Sequence, residues 1–575
     1  MQSKQGWQDC GRLGHAGSGV ITKNNAGVAL MDKLGLFDQF FYKADQYQVI
    51  SAVMGGASIL EPAIAGDKLD ADAIAGHLAN RLGSIGLLRN CFIQDPLRLG
   101  TVHKMEDPDF DIWDHIFVET LPAPGEYPQL AQRLAELSAV PLTLSQMWRW
   151  TIIDGLAGGK LAVMCNIHHA VADGVGLVEA LSSMYDAEPV TPEPLVTSVR
   201  DIVVPPGPMR LLGQALVESG ERLLLKTPRF VLQNTGPILG AFGTGVRDFL
   251  ESDRELAGPL MPDVKPTSLN ISKYSDTRSV SWKTLSLPDI KLVARHFDVT
   301  VNDMGLFLYA CAMESYFDSR GEQVDFDLWC GVPVSTRSDT SGTGGNQVTA
   351  GRLCLHNTIS DPVARLQAIH NDALELKEFT RPRDPVVDVG ELADLIFPIA
   401  LDASLYLAGR FELLARFSDK MTLANALFSN VPGPRQPVYV ANGLMSESIP
   451  MIPAVDILAV SGGITSVHKT ITLGFHCDGA VVSDPDVFVT GLEQGLKALR
   501  VAAGLEQPVR KKTAVKSRVD RKLKPAAKNK TAARKKPAVK RKAVTSKKPL
   551  AKPKVAARKK PLREKSVANN SGAGS

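Results

Sequence analysis

With 575 residues the chain is too long for one ordinary core, so two or more packed units with unstructured ends are expected. Its hydrophobic content of 44% is that of a globular protein, and no apolar run reaches the roughly 18 residues of a membrane-spanning helix. The formal net charge of +4 conceals two opposite parts: Val509–Ser575 holds 25 Lys and Arg against only Asp520 and Glu564, a net of +23, whereas the remainder holds 40 Lys and Arg against 59 Asp and Glu, a net of −19.

The first 30 residues are Gly-rich and without periodicity, with no apolar core of a secretory signal, and read as a flexible leader. The texture changes at Met31, where a folded region of residues 31–190 is expected to begin. Within it Val49–Leu60 and Lys160–Ile167 read as strands, and Asp70–Leu82 and Tyr127–Ser138 as helices. A connector, residues 191–262, starts with a Pro- and Val-rich stretch and includes Met209–Leu232, whose leucines recur at helical spacing. A second αβ region, residues 263–505, carries the strand Asp325–Val334 and the helices Leu287–Phe297, Asn302–Phe317 and Asp361–Glu378, the last opened by Asp-Pro. Residues 506–575 are built from Lys, Ala, Pro, Val, Ser and Thr without one aromatic residue; such a segment cannot bury enough apolar area to order itself and reads as disordered. The seven cysteines never form CxxC, which suits a reduced, cytoplasmic protein without structural zinc.

Chemistry concentrates at His168-His169-Ala-Val-Ala-Asp173-Gly174, the only adjacent histidine pair, placed between the apolar strand LAVMCNI and the helical run GLVEALSSMY. A strand exit lifts side chains off a sheet edge, and an imidazole there can take a proton from an alcohol attacking a thioester. His169 is the candidate base and His168 its companion. Gly174 suits a tight turn, and Asp173 could orient the loop by pairing with an arginine. An isolated histidine at a strand end is more often a packed one. Metal ligation is the other rival, but neighbouring histidines on extended backbone diverge and no HExxH spacing is present, so no metal is expected. There is no GxSxG elbow and no Walker A, which favours direct transfer over a covalent acyl-enzyme.

HHAVADG is the HHxxxDG motif of the CoA-dependent acyltransferases. From about Asp32 to Leu499 the chain resembles the bacterial wax ester synthase/acyl-CoA:diacylglycerol acyltransferase family, through DKLGLFDQFFYKAD, DPDFDIWDHIFVETLPAPG, IDGLAGGKLAVMCNIHHAVADGVG, TVNDM, GVPVSTR, GNQVT and SNVPGP in that order. The resemblance implies an α/β fold of two chloramphenicol-acetyltransferase-like subdomains joined by a helical connector. It implies long-chain acyl-CoA as co-substrate with no bound cofactor, and diacylglycerol or a fatty alcohol as acceptor. His169 would be the base. Asn302, with Asp303, is a candidate polar group near the site or else part of a helix cap. Arg337 is a candidate partner for Asp173 or else a surface arginine. The family's Pro-Leu-Trp stands here as Gln146-Met147-Trp148, which leaves Trp148 as a substrate-binding or structural candidate. SNVPGP reads as a backbone-shaping turn.

The basic tail reads as a solubilising tether without a specific partner or as a polyanion-binding segment, in which case it fits an anionic lipid surface first and nucleic acid second, both through charge. An enzyme of water-insoluble acyl chains is expected at the inner membrane face or at lipid droplets. The competing reading is a non-catalytic acyl-binding or scaffold protein of the same fold, docking on polyanions through the tail.

Overall fold

The structure is a computed structural model that describes residues 31–171, 182–192, 205–226, 264–335, 348–379, 398–412 and 422–506, with 48, 65, 144–145, 273, 423 and 453–456 excepted. The leader of residues 1–30, the loop that holds Asp173 and Gly174, Arg337, and the tail after Glu506 lie outside the described residues.

Strands and helices alternate from the start. The strands of the first part are β1 (Asp32–Lys33), β2 (Val53–Pro62), β3 (Asn90–Ile93), β4 (His103–Glu106), β5 (Ile116–Thr120), β6 (Trp148–Asp154) and β7 (Leu161–His168); its helices are α1 (Leu36–Gln46), α2 (Ala71–Ser84) and α3 (Tyr127–Ser138). Helix α4 (Pro208–Glu221) runs on into a π-helical turn, Arg222–Lys226. Then come β8 (Arg278–Ser286), α5 (Leu287–His296), α6 (Val301–Arg320), β9 (Trp329–Ser335), β10 (Val348–Cys354), α7 (Pro362–Phe379), α8 (Pro398–Arg410), β11 (Ala426–Val431), β12 (Tyr439–Val440), β13 (Gly443–Met451), β14 (Val460–Val467), β15 (Thr470–Asp478) and α9 (Asp486–Ala502). The helices expected at Asp70–Leu82, Tyr127–Ser138, Leu287–Phe297, Asn302–Phe317 and Asp361–Glu378 are present with ends shifted by a few residues; most of the run GLVEALSSMY and the end of Met209–Leu232 lie outside the described residues. Asp70 caps α2 by accepting from Ala73 N at 3.1 Å.

Two mixed six-stranded sheets form the body, in the orders β12-β13-β2-β7-β6-β5 and β10-β9-β11-β14-β15-β8, with a small sheet β1-β4-β3 beside the first. Strand β7 is nearly all apolar because it is covered on both faces. Leu161, Val163 and Ile167 join the core under α2 (Ile74, Leu78, Leu82), while Ala162 and Met164 join the core under α3 (Leu130, Leu134). Helix α6 is buried along most of its length and, with α9, supplies the core of the second sheet (Met304, Phe307, Tyr309, Phe488, Leu492).

Two strands of the second part, β12 and β13, stand in the first sheet. β13, from the second part of the chain, is hydrogen-bonded to β2 of the first sheet, Ile449 opposite Ala57 and Met451 opposite Gly55. A Cβ on Gly56 would stand 2.9 Å from Ile449 O, and one on Gly55 2.3 Å from Cys165 O, so the glycine pair permits the close flanking of β2 on both edges. At a bulge in β13, Glu447 accepts from Tyr127 Oη of α3 and from Thr284 Oγ1 of β8. The expected division at about residue 190 and 263 therefore describes the chain order, while the second part lends β12 and β13 to the first sheet. The physical reason is that Ile449 and Met451 bury their side chains with Ala57, Ile59 and Met164, an apolar seam that the first part alone would expose.

His476 of β15 sits in that seam, its Nδ1 3.0 Å from Ile452 O and its Nε2 3.1 Å from Ser138 Oγ. Burial, with Arg278 nearby and despite the Ile452 carbonyl, pushes its pKa down to about 4. A histidine whose folded pKa is depressed favours the folded state above its unfolded pKa of about 6.5 and loses that contribution as pH falls through the folded value. Thermal midpoints of the full chain should therefore drop between about pH 6.5 and 4, and the drop should be shallower in His476→Gln; equal slopes would contradict this reading of His476.

Candidate active site

The histidine pair stands at the exit of β7, and the two rings meet different surroundings. His168 is the last strand residue, opposite Val53 of β2, with its backbone N–H donating to Met147 O at 2.8 Å. Its ring is buried. Nδ1 accepts from Ala170 N at 3.0 Å, so a neutral ring carries its hydrogen on Nε2, which lies 3.8 Å from Asp45 Oδ2, outside hydrogen-bond range. Burial first, and then the neighbouring His169, push the His168 pKa down to about 3, so its ring is neutral at physiological pH.

His169 is half-buried. Its backbone N–H donates to Ala52 O at 2.8 Å, which anchors the residue to the start of β2. Its ring is stacked on Phe41 with centroids 4.0 Å apart and planes at 20°. One turn further along α1, Asp45 accepts from Ala52 N at 3.1 Å and faces His168. Burial raises the Asp45 carboxyl above its ordinary value, and the bond from Ala52 opposes that shift. Phe41 and Asp45 thus share one face of α1 at i, i+4 spacing and together frame the pair. Both lie in the phrase DKLGLFDQFFYKAD; the signal available in the sequence was that spacing, which marks a helix face but does not say what the face meets.

Helix α1 is itself held from behind. Lys43, fully buried, bonds Asp402 Oδ1 of α8 at 2.8 Å, and Tyr47 Oη donates to Asp402 Oδ2 at 2.6 Å. Desolvation lowers the Lys43 pKa against the opposing pull of Asp402.

Asn302, Asp303 and Trp148 have partners of their own. Asn302 Oδ1 accepts from Asn430 Nδ2 at 3.1 Å, which joins the VND and SNVPGP phrases beside the second sheet. Asp303 closes the capping box of α6: its carboxylate accepts from Thr300 N at 2.8 Å, its own N–H donates to Thr300 Oγ1, and Oδ2 lies 2.7 Å from His370 Nδ1. Trp148 is in the core, donating from its indole to Leu88 O at 2.7 Å and stacked on His115 at 4.1 Å. Met147 packs with Leu34, Tyr42 and Ala170, directly behind the histidine pair. Among the described residues the donor atoms of Asp327, Cys354 and His356 lie within 4.8 Å of one another, a set able to meet a metal ion, at the end of β10. Asp372 bonds the His356 ring at 2.8 Å and pushes its pKa up to about 10. A groove between α3 and β8, lined by Gln132, Glu136, Arg278 and Trp282, borders none of the sequence candidates.

Residues 34–305 match the wax ester synthase/diacylglycerol acyltransferase catalytic domain, and residues 344–500 match the C-terminal domain of the same family. The chain belongs to the wax ester synthase/diacylglycerol acyltransferase family. It is therefore an acyltransferase, with acyl-CoA as its co-substrate. A probable diacylglycerol O-acyltransferase of Mycobacterium tuberculosis is 27% identical over 493 residues, 84% of this chain and 99% of that protein. A putative diacylglycerol O-acyltransferase of the same organism is 28% identical over 398 residues, 67% of this chain and 79% of that protein. Among solved structures, the wax ester synthase/diacylglycerol acyltransferase of Marinobacter aquaeolei VT8 superposes with a TM-score of 0.57 at 20% identity, over 82% of this chain and 100% of that one, a likeness of fold.

The two residues of the VND phrase should separate on stability. Asp303→Ala removes a helix cap and a buried partner of His370 and should cost about 1–2 kcal/mol in urea unfolding, while Asn302→Ala should change the midpoint by less than about 0.5 kcal/mol. A cost at Asn302 equal to that at Asp303 would contradict the capping account.

Proposed function

We propose that His169 is the general base for transfer of a long-chain acyl group from acyl-CoA to the hydroxyl of diacylglycerol, with a long-chain alcohol as the second acceptor. The observation that carries this reading is the asymmetry of the pair: His168 is buried, neutral and already bonded through Nδ1, whereas His169 is half-buried with its ring face fixed on Phe41. In the proposed reaction His169 takes the proton of the acceptor hydroxyl as its oxygen bonds the thioester carbon. The oxyanion collapses, the carbon–sulfur bond breaks, and the imidazolium returns the proton to the CoA thiolate. General-base assistance of this kind contributes about 10²–10⁴-fold, and a donor to the oxyanion about 3 kcal/mol.

His168 then acts through position, holding Ala170 and the chain turn after β7. Asp173, by pairing with Arg337, and Gly174, by permitting the turn, would shape the loop that follows. Diacylglycerol as acceptor rests on the mycobacterial relatives, diacylglycerol O-acyltransferases by name, one of which matches 84% of this chain. We place the 25 Lys and Arg after Val509 against an anionic lipid surface, where each basic residue near the surface contributes about 1 kcal/mol. No helix among the described residues is long and apolar enough to cross a membrane, so the contact we propose is peripheral.

The test is release of CoA from palmitoyl-CoA by the purified full chain, with diacylglycerol and hexadecanol as acceptors and the esters resolved by lipid chromatography. His169→Ala should lose about 10²–10⁴-fold in kcat with thermal stability retained. Phe41→Ala should lose about 10-fold in kcat with little change in KM for acyl-CoA, because it lets the ring tilt rather than removing it. Unchanged turnover in His169→Ala would remove His169 as the base.

A further inference from the structure

Helix α4 and its π-helical turn carry apolar side chains on both faces. The face turned to the small sheet is mixed, apolar at Leu211 and Ala215 and charged at Glu218 and Arg222, while Arg210 and Glu221 stand exposed on a flank. Leu211 packs with Cys91, Ile93 and Met105, and Ala215 presses on Gly100, where a Cβ would come within 2.7 Å of the Ala215 Cβ. Below these, Glu218 bonds Lys33 Nζ at 2.9 Å, and Arg222 donates to Thr101 Oγ1 at 2.9 Å. The face turned to solvent is apolar. Met209 is 76% exposed, Leu216 56%, Val217 63%, Leu223 61% and Leu224 71%. These positions recur at intervals of seven, so they form one stripe, and Gly213 and Gly220 fall between them.

Ordinary surface helices carry a single apolar stripe, turned inward. Five such side chains present on the order of 100 Å² each, which reaches the upper range of apolar patches on a monomer and falls short of the roughly 800 Å² per partner of a stable dimer. The stripe contains no charged side chain, so nothing in it selects a charged partner.

Its place in the molecule points to the occupant. The loop that Ala215 grips, Asp95–Gly100, carries Leu97 at 62% exposure, and its Arg98 donates to Tyr47 Oη at the end of α1. Helix α1 in turn stacks Phe41 on His169. A continuous chain of contacts thus runs from the apolar stripe to the helix that frames the histidine pair. We propose that α4 and its π-helical turn are a lipid-docking element, lying in the interface of a bilayer or neutral-lipid surface with Met209, Leu216, Val217, Leu223 and Leu224 in the acyl region. This rests on the reading above only for the choice of a lipid partner: the acceptor of that reaction resides in such a surface. The element acts independently of the basic tail, since it uses apolar area where the tail uses charge.

The experiment is flotation of the full chain with phosphatidylcholine vesicles containing diacylglycerol and no anionic lipid, in about 0.5 M NaCl, where charges on the tail are screened within a few Å. The native chain should float. Leu216→Asp/Leu223→Asp should lower the bound fraction by at least about 10-fold, as loss of apolar insertion requires, and the milder Leu223→Gln/Leu224→Gln should lower it several-fold with the thermal midpoint unchanged. Neither variant should alter turnover of a short-chain acyl-CoA with a water-soluble alcohol. Equal flotation of native and variant chains would overturn the proposal. So would native binding that appears only with anionic lipid, which would assign docking to the tail, or a dimer-to-monomer change in the variants by light scattering, which would make the stripe an interface between copies. Flotation without any acyl transfer would leave the docking element standing and sink the catalytic reading alone.

Discussion

Strand β2 is the member on which the rest of the molecule depends, because it is paired along both edges by strands that come from opposite parts of the chain. Eight residue pairs join it to β7 and eight to β13. The first set fixes where β7 ends, with Val53 opposite His168 and Ala52 O holding the backbone of His169. The second set binds the C-terminal half into the first sheet and closes the apolar seam of Ala57, Ile59, Met164, Ile449 and Met451. A slip of one residue in β2 would exchange the side chains that face the α2 and α3 cores and move Ala52 O away from His169, so the register that stabilises the seam also positions the histidine.

Two adjacent histidines are divided by this arrangement into different chemical groups. Burial costs a charged imidazole far more than a neutral one, and His168, enclosed and carrying a bond from Ala170 N on Nδ1, is held neutral. His169 escapes that enclosure because the backbone leaves the sheet between them. Its ring lies flat on Phe41, whose helix is fixed from the far side by the Lys43–Asp402–Tyr47 group. That group includes an ion pair whose lysine is fully buried, and removing either partner would strand a charge in the interior.

Much of this was legible in the sequence, and the limits have physical causes. The motif phrases lie at strand ends and helix starts, where local chemistry is strong. Asp70 before α2, Thr300 with Asp303 at α6, and the apolar run of β7 all announce themselves within a few residues. Asn302 and Asn430 were separately noticeable, but their bond spans 128 positions and depends on how α6 lies on β11. The crossing of β13 left no local mark, because a strand buried between two others has the same apolar pattern whichever sheet it joins. Phe41 and Asp45 could be placed on one helix face, yet only the packed structure shows that this face meets the histidine pair. Trp148, a candidate as the retained tryptophan of the family's Pro-Leu-Trp, is enclosed in the core against His115 and Leu88.

The stripe on α4 shows the complementary case: the leucines were legible as a helix, while the outward turn of five apolar residues was not, since it depends on which side of the helix the small sheet covers. In the proposed account α4 docks on the lipid in which the acceptor resides, and a chain of contacts links that helix to α1 and His169. The claim at its centre is that a neutral His169 accepts the hydroxyl proton, and the pH dependence of kcat/KM tests it most directly. The native chain should show an acid limb that rises through one ionisation as the imidazole becomes neutral, and the residual activity of His169→Ala should lack that limb. An acid limb that persists unchanged without His169 would show that another group takes the proton.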